Sequence, residues 1–443
     1  GINEEWISDK TRFSYDGLKY NRLDRPYLRM DDGTMEAVDW EEALDALVTR
    51  LRKADRKDKA AVLLGDMVDC ETVTALKDLT DALEINSRDC RQDGSDYDIS
   101  SRAAYIMNST IAGLETADAV LIVGANPRHE ATMVNARIRK AYYERKIPVG
   151  VIGPDKDLTY KTVHLGETAA ALEDLAKGKG DFAAILKDAK RPAILIGAGA
   201  LARTDALAIQ ALTQEIAKKY GVVEGNWNGY NVLQTAASRV GALDLGFLPK
   251  SGGQTTTQIV ESAHKGQLDL LWLVGVDEID WDKHALGDTF VVYQGHHGDK
   301  GAAVADLVLP AAAFTEKNAT YVNTEGRPQR ARQAMFPLGE AKPGWKIIRA
   351  LAERMAVKLN YNNLYQMQKR MEEINPVFAE IDRITPARWR SFGKAGPSQS
   401  APFESPVENF YMTCAITRSS KIMKQCTAAF VDGRDDYKQV AAE

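Results

Sequence analysis

Five short apolar runs in this chain each stop at a glycine: Ala60–Leu64 at Gly65, Val120–Val123 at Gly124, Val149–Ile152 at Gly153, Ile194–Ile196 at Gly197 and Leu270–Val274 at Gly275. Runs with no polar residue cannot leave one face in water, so each reads as a strand covered on both sides. Between them lie amphipathic helical stretches, Glu71–Leu83, Ala131–Arg145, Asp205–Lys219 and Thr255–Lys265. Strands alternating with helices dictate an α/β fold with parallel sheets. A glycine at a strand's carboxyl end permits close approach of backbone or ligand, which is where open α/β sheets bind. The expected architecture is two doubly wound, mainly parallel sheets, the first over 55–175 and the second over 176–385, with Ala176–Gly180 near the joint. A helix after Pro343-Gly344, carrying Trp345, Ile348, Leu351 and Met355, closes the second.

The flanks differ. Residues 1–38 are polar and dotted with aromatics, and Asp31-Asp32-Gly33 reads as a hairpin turn. Asp39 can cap a helix whose apolar stripe is Trp40, Leu44, Leu47, Val48 and Leu51, with Glu42 at the capping-box position. Residues 1–54 are thus an irregular N-terminal segment plus a first helix. Residues 386–443 form a linker and C-terminal arm: Ser391–Ser405 is rich in Gly, Ser and Pro, a short helix is expected around Ile416–Lys424, and a charged, frayed tail follows.

Bulk properties exclude several classes. With 443 residues the chain can bury a large core without staples. A net charge of −5, with no basic block longer than Arg50-Leu51-Arg52-Lys53, argues against a nucleic-acid binder. Cys70, Cys90, Cys414 and Cys426 are separated by 20, 324 and 12 residues, which matches neither zinc nor iron–sulfur spacing. They read as free thiols in a reducing compartment. No apolar run approaches the ~20 residues that a membrane helix needs. The chain begins Gly-Ile-Asn, a start that reads as processed or truncated.

The richest stretch is Thr289–Arg332. Phe290–Tyr293 is a buried-strand run; Gly295-His296-His297-Gly298 is a turn; Ala305–Leu309 is a second strand, stopped by Pro310, with Asp306 near its end. The polar corner Thr324-Glu325-Gly326-Arg327 needs a residue tolerant of positive φ, and Gly326 supplies it.

The segment ADLVLPAAAFTEKNATYVNTEGRPQ resembles the closing segment of the cofactor-domain fold of the molybdopterin oxidoreductase superfamily. Within it, the chain looks like the large peripheral-arm subunit family of respiratory complex I, the NADH:quinone oxidoreductase. NEEWISDKTRFSYDGLK at 3–19, STIAGLETADAVLIVGANPRHEATMVNARIRKA at 109–141 and YQGHHGD at 293–299 agree, with a fainter echo in FYMTCAITRSS at 410–420. The resemblance implies partners among the other peripheral-arm subunits. It places the chain on the matrix side of the mitochondrial inner membrane or on the cytoplasmic face of a bacterial membrane. It also implies iron–sulfur clusters in Cys-rich modules that precede the NEEWISDKTRF stretch, or in neighbouring subunits, with none in these residues.

Each candidate site has a structural alternative. Gly124-Ala125-Asn126-Pro127-Arg128 follows a strand and precedes a helix, yet its proline removes an amide donor. Gly197–Ala202 has the form G-x-G-x-x-A, but Ala217, Lys218 and Lys219 stand where a ribose-binding acid belongs, with Glu215 the nearest. In the superfamily such turns face the halves of a bis-pterin cofactor, so a degenerate relic explains both. His296 and His297 read as satisfied turn histidines. Active relatives supply a metal ligand from the loop after the second strand; here that loop is Asn86–Gly94, where Cys90 ends the strand and Asp93 is the one alternative. No residue is assigned a catalytic, cofactor-binding or metal-binding role. The expectation is a cofactor-free structural module supporting electron transfer from NADH towards quinone; the alternative is a working molybdenum or tungsten oxidoreductase. The cleft near Gly124–Arg128, Gly197–Leu201 and Gly295–Gly298 is expected to be closed by side chains or to hold only water, with Arg128, His129 and His297 filling it. Residues 1–38 and the arm after Ser391 are the expected grips on neighbouring subunits.

Overall fold

The computed structural model describes residues 5–282 and 285–434, so the first residues and the charged tail beyond Arg434 lie outside the described residues. Its strands in chain order are β1 (Tyr27–Arg29), β2 (Met35–Ala37), β3 (Ala60–Leu64), β4 (Ser87–Asp89), β5 (Ala119–Val123), β6 (Val149–Ile152), β7 (Val163–Gly166) and β8 (Pro192–Ile196). There follow β9 (Val223–Glu224), β10 (Trp227–Asn228), β11 (Tyr230–Val232), β12 (Leu270–Val274), β13 (Phe290–Gly295), β14 (Leu307–Pro310), β15 (Ala319–Val322) and β16 (Pro328–Ala331). All five glycine-stopped runs are strands. β3, β5, β8 and β12 are buried at every position, as apolar runs without polar alternation require.

Two sheets form, but not in sequence order. The seven-stranded sheet has the order β2-β1-β14-β13-β12-β3-β4, and the five-stranded sheet the order β11-β8-β5-β6-β7. Ala60 of β3 pairs with Leu270 of β12 in parallel, so the chain starts one sheet, leaves it to build the other, and returns. The expected division into 55–175 and 176–385 is therefore corrected. Equally apolar runs carry no mark of which sheet they join, because burial dictates the strand and not its neighbour. Nor is Ala176–Gly180 a joint between sheets. Gly178 and Gly180, with φ of +85° and +83°, turn the chain between the Ala169–Lys177 and Asp181–Asp188 helices of the five-stranded half.

The N-terminal segment is likewise no separate unit. β1 and β2 form the expected hairpin, with Gly33 at φ +85°, and β1 adds antiparallel to β14 through Tyr27 and Val308. Asp39 caps the Trp40–Lys53 helix by accepting from the Glu42 N–H at 2.9 Å. That helix, Cys70–Ala82 and Gly344–Arg354 pack together, and Leu47, Leu51, Leu76 and Ile348 are fully buried among them. Asp306 lies just before β14, where its Oδ2 accepts from the Val291 N–H at 2.9 Å.

Gly326 does take a positive φ, +77°, and a Cβ there would stand 2.9 Å from the Arg102 guanidinium. That guanidinium also pairs with Asp244 at 2.8 Å, so it cannot retreat cheaply. Gly326→Val should lower stability by at least about 1–2 kcal/mol, read as a lower melting midpoint. An unchanged midpoint would mean that the corner relaxes to ordinary dihedrals.

Candidate functional site

The parallel strands of both sheets end facing one cleft. Asp66 follows β3, Gln92 and Asp93 follow β4, Glu278 follows β12, Glu130 follows β5 and Thr235 follows β11; all line a cavity of about 620 Å³. This is the ligand position of open α/β sheets. Asp66 Oδ1 and both polar atoms of the Gln92 carboxamide are buried there with no protein partner, and burial pushes the Asp66 carboxyl up to about 6.

The cleft's other wall is the C-terminal arm. Arg203 donates to the carbonyls of Ala401 and Pro402, each at 3.0 Å, and the Phe403 N–H donates to Glu167 O at 2.8 Å. Phe403 is buried beside Gly153, while the Glu404 carbonyl seats on Gly199, 1.9 Å from where a Cβ would be. Ser405 donates to Glu130 at 3.3 Å. The arm then crosses to the seven-stranded half. Arg418 forks onto Glu278 at 2.7 and 2.9 Å, bonds Asp299 at 2.7 Å, and donates to the Asp277 carbonyl at 3.1 Å. The N-terminal segment clamps the far end: Asp16 accepts from the Ile422 N–H at 3.2 Å, and Gly17 lies against the Ile416 carbonyl, 2.0 Å from a Cβ position. Where one short helix was expected, there are two, Ala415–Ser419 and Lys421–Phe430.

The two glycine turns meet each other. A Cβ on Gly124 would stand 2.6 Å from the Ala200 nitrogen. Glu130, half-buried and with its carboxyl pushed up by desolvation, accepts from the Asn126 N–H at 2.6 Å and the Ala198 N–H at 3.4 Å. The turn that would take a ligand phosphate is thus occupied by two of the chain's own oxygens, a carboxyl and a carbonyl. The cavity lining adds Asp66, Asp93, Glu130, Glu278, Asp280 and Glu408 against Lys10, Lys300 and Arg418, an excess of acid that repels an anionic ligand. The residues present do not fit a phosphate-bearing pterin.

The side chains expected to fill the cleft do otherwise. Arg128 is exposed and pairs with Asp157 at 3.0 Å on the surface, because the helix start at Pro127 points it outward. His129 reaches the arm, its ring 5.3 Å from that of Phe410. His297 is fully buried away from the cavity, bonded to the Gly17 carbonyl at 2.8 Å, and burial lowers it to about 4. That bond requires Nε2–H, so His297 Nδ1 accepts from His296 Nδ1–H. The expectation of a closed cleft is corrected in part: the arm covers the glycine turns, and the cavity between the sheets persists. Cys90 follows β4, buried, and burial pushes its thiol up to about 12. Asp93 is held by Arg239 at 3.0 Å and by the Ser95 amide and hydroxyl, so its oxygens are engaged structurally. Among the described residues there is no group of three His, Cys, Asp or Glu that could hold a metal.

The Glu316–Arg327 stretch serves as a clamp, a role that no local pattern in the sequence announces. Glu316 takes a buried fork from Arg22 at 2.6 and 2.8 Å, Lys317 pairs with buried Asp69 at 2.6 Å, and Thr320 donates its N–H and hydroxyl to Glu71 at 2.8 and 2.7 Å. Glu325 accepts from the Ile111 N–H at 2.9 Å, and Thr324 O from the Met107 N–H at 2.7 Å, which ties the corner to the five-stranded half. Burial raises Asp69, but the Lys317 ammonium outweighs it and holds the carboxyl low; burial and the Asp69 charge push Glu71 up to about 7. A carboxyl raised in the folded state adds stability below its unfolded pKa, and that contribution is lost as pH rises through the folded value. Between about pH 4 and 7 Glu71 should therefore erode stability. Glu71→Gln should flatten that slope by more than about 1 kcal/mol, one pKa unit being 1.36 kcal/mol. Denaturant midpoints across this range test it, and parallel profiles would refute it.

The fold and cleft define a class: a two-sheet, doubly wound α/β chain whose ligand turns are sealed from within. The molybdopterin oxidoreductase family model matches residues 22–354, and the chain belongs to that family. The family model for the C-terminal region of the NuoG-type component of NADH-ubiquinone oxidoreductase matches residues 383–426, which is the arm. The model "NADH-ubiquinone oxidoreductase NDSU1/NuoG-like, 4Fe-4S domain" matches residues 1–16, so that match extends into this chain where the resemblance had placed the Cys-rich modules wholly outside it. Those 16 residues contain no cysteine. The mitochondrial NADH dehydrogenase [ubiquinone] iron-sulfur protein 1 of Solanum tuberosum is 44% identical over 430 residues, covering 96% of this chain and 57% of the relative. A bacterial relative, an NADH-quinone oxidoreductase component of Rickettsia conorii, is 40% identical over 435 residues, covering 98% and 62%. The chain thus spans about three-fifths of these relatives' length. Among solved structures, a chain of the formyltransferase/hydrolase complex of Methylorubrum extorquens aligns with TM-score 0.55 at 15% identity, covering 75% of this chain and 98% of that one. Acetylene hydratase of Pelobacter acetylenicus aligns with TM-score 0.52 at 14% identity, covering 82% and 63%. At such identity these share the fold.

Proposed function

We propose that this chain is the C-terminal part of the large peripheral-arm subunit of an NADH:quinone oxidoreductase, respiratory complex I. Its role there is structural: it carries the neighbouring electron-transfer modules on their path from NADH towards quinone and holds no pterin or metal itself. The 44% identity along 96% of the chain supports the membership. The carbonyl of Glu404 and the carboxyl of Glu130 on the Gly197–Gly199 turn support the cofactor-free reading. In this reading iron–sulfur clusters belong to the cysteine-rich modules of the whole subunit or to its neighbours. The chain then sits on the matrix side of the mitochondrial inner membrane or on the cytoplasmic face of a bacterial one. No helix among the described residues is long and apolar enough to cross a membrane.

Affinity-tagged protein expressed in cells that make the complete oxidoreductase tests both halves. Co-purification with NADH:quinone oxidoreductase activity is the expected result, and its absence refutes membership. Elemental analysis of the tagged protein should find at most traces of molybdenum and tungsten. A stoichiometric amount of either would make it a working metal–pterin oxidoreductase instead.

A further inference from the structure

Beyond the β15–β16 hairpin the chain displays an apolar knob that stands out from the rest of the fold. Phe336 is 89% exposed, Met335 53% and Leu338 43%. Phe314, 40% exposed, lies alongside, because the Ala334 and Met335 N–H groups both donate to the Thr315 carbonyl, at 2.9 and 3.2 Å. The backbone beneath them is pinned. The Gln333 N–H donates to Asn318 Oδ1 at 3.0 Å, its amide to the Met335 carbonyl at 3.1 Å, and the Glu340 N–H to the Asp24 carbonyl at 2.6 Å. Gly339, at φ +54°, presses so close to Asp24 that a Cβ would stand 2.6 Å from its carbonyl.

A loose loop can fold its apolar side chains down, whereas a pinned one keeps them in water at a standing cost. Clustered exposed apolar residues on fixed backbone mark interaction sites. Arg330 and Arg332 lead into the knob along the chain, both exposed and without an ion pair among the described residues. Burying such guanidinium groups against a neutral surface would leave two charges unpaired. The complementary surface therefore supplies carboxylates around an apolar hollow.

We infer that Phe314, Met335, Phe336 and Leu338, with Arg330 and Arg332, form a docking surface for another subunit of the assembly, one that presents an apolar socket rimmed by Asp or Glu. The inference rests on the subunit reading above. A projecting Phe beside Arg is the anchor composition that dominates interface energetics.

The test is the same tagged co-purification, now with Phe336→Asp. Phe336 makes little contact within the chain, so the melting midpoint should stay at the wild-type value while recovered complex falls about tenfold, or ~1.4 kcal/mol of association. Met335→Ser with Phe336→Ser guards against a fold defect caused by the new charge and should give the same loss. Arg330→Gln with Arg332→Gln should weaken association and flatten its salt dependence. If wild-type protein associates and the Phe336 variants associate equally well, the docking surface is wrong while the subunit reading stands. If the Arg variants alone behave as wild type, the acidic rim is wrong. If wild-type protein does not associate at all, both readings fall together.

Discussion

Gly199→Ala, a single added methyl, should detach the C-terminal arm and destabilise the protein by about 3 kcal/mol, the upper range for overpacking a rigid site. The new Cβ would meet the Glu404 carbonyl at 1.9 Å and the Gly124 carbonyl at 2.8 Å, and both are backbone atoms that no rotamer change can move. Limited proteolysis gives the direct readout. Wild-type protein should resist cleavage after Phe403, where the arm is buried, while the variant is cut between Phe403 and Arg418. If the variant shows the wild-type midpoint and cleavage pattern, the arm is not seated on the turn as described.

A second large effect is expected at Lys317. Lys317→Met strands the Asp69 carboxylate, buried at the start of the helix Cys70–Ala82 beside Glu71, and removing one partner of a buried pair costs about 3–5 kcal/mol. Adding Asp69→Asn should recover much of the loss, because the orphaned charge is then gone. Acid should also help the single variant. Without the ammonium, burial raises Asp69, and a raised carboxyl stabilises the folded state only at low pH. A deficit below about 1 kcal/mol for the single variant, or a double variant no better than the single, would show that the pair contributes little.

Both results test features of unequal legibility in the sequence. The strands were readable because Ala60–Leu64 or Leu270–Val274 can only be buried. Their sheet membership was not, since β3 pairs with β12 across the whole five-stranded insertion and nothing local records that partner. Gly326 was readable because a polar corner with a single glycine has one place for positive φ. The cleft's occupants are not legible: Arg128 and Glu130 are both charged and two residues apart, and nothing local marks Glu130 as the one turned inward. The arm's seat is not legible either: Phe403 shares its Gly-, Ser- and Pro-rich stretch with Phe392, and Arg418 has Lys421 and Lys424 close behind it, so no local pattern singles out the anchors. Long-range ion pairs such as Arg22–Glu316 and Lys317–Asp69 link residues hundreds of positions apart, beyond any periodicity.

The order in which the strands were found to pair has a consequence for synthesis. As the chain leaves the ribosome, β3 and β4 emerge early but have no further parallel partner until β12 follows some 200 residues later, so long-range loop closure must precede completion of their sheet. The five-stranded half, contiguous from β5 to β11, can condense meanwhile, leaving the apolar edge of β3 exposed. The arm comes last of all. A nascent chain interrupted between Val232 and Leu270 therefore carries a finished second sheet and an unfinished first, the species that chaperones should retain longest.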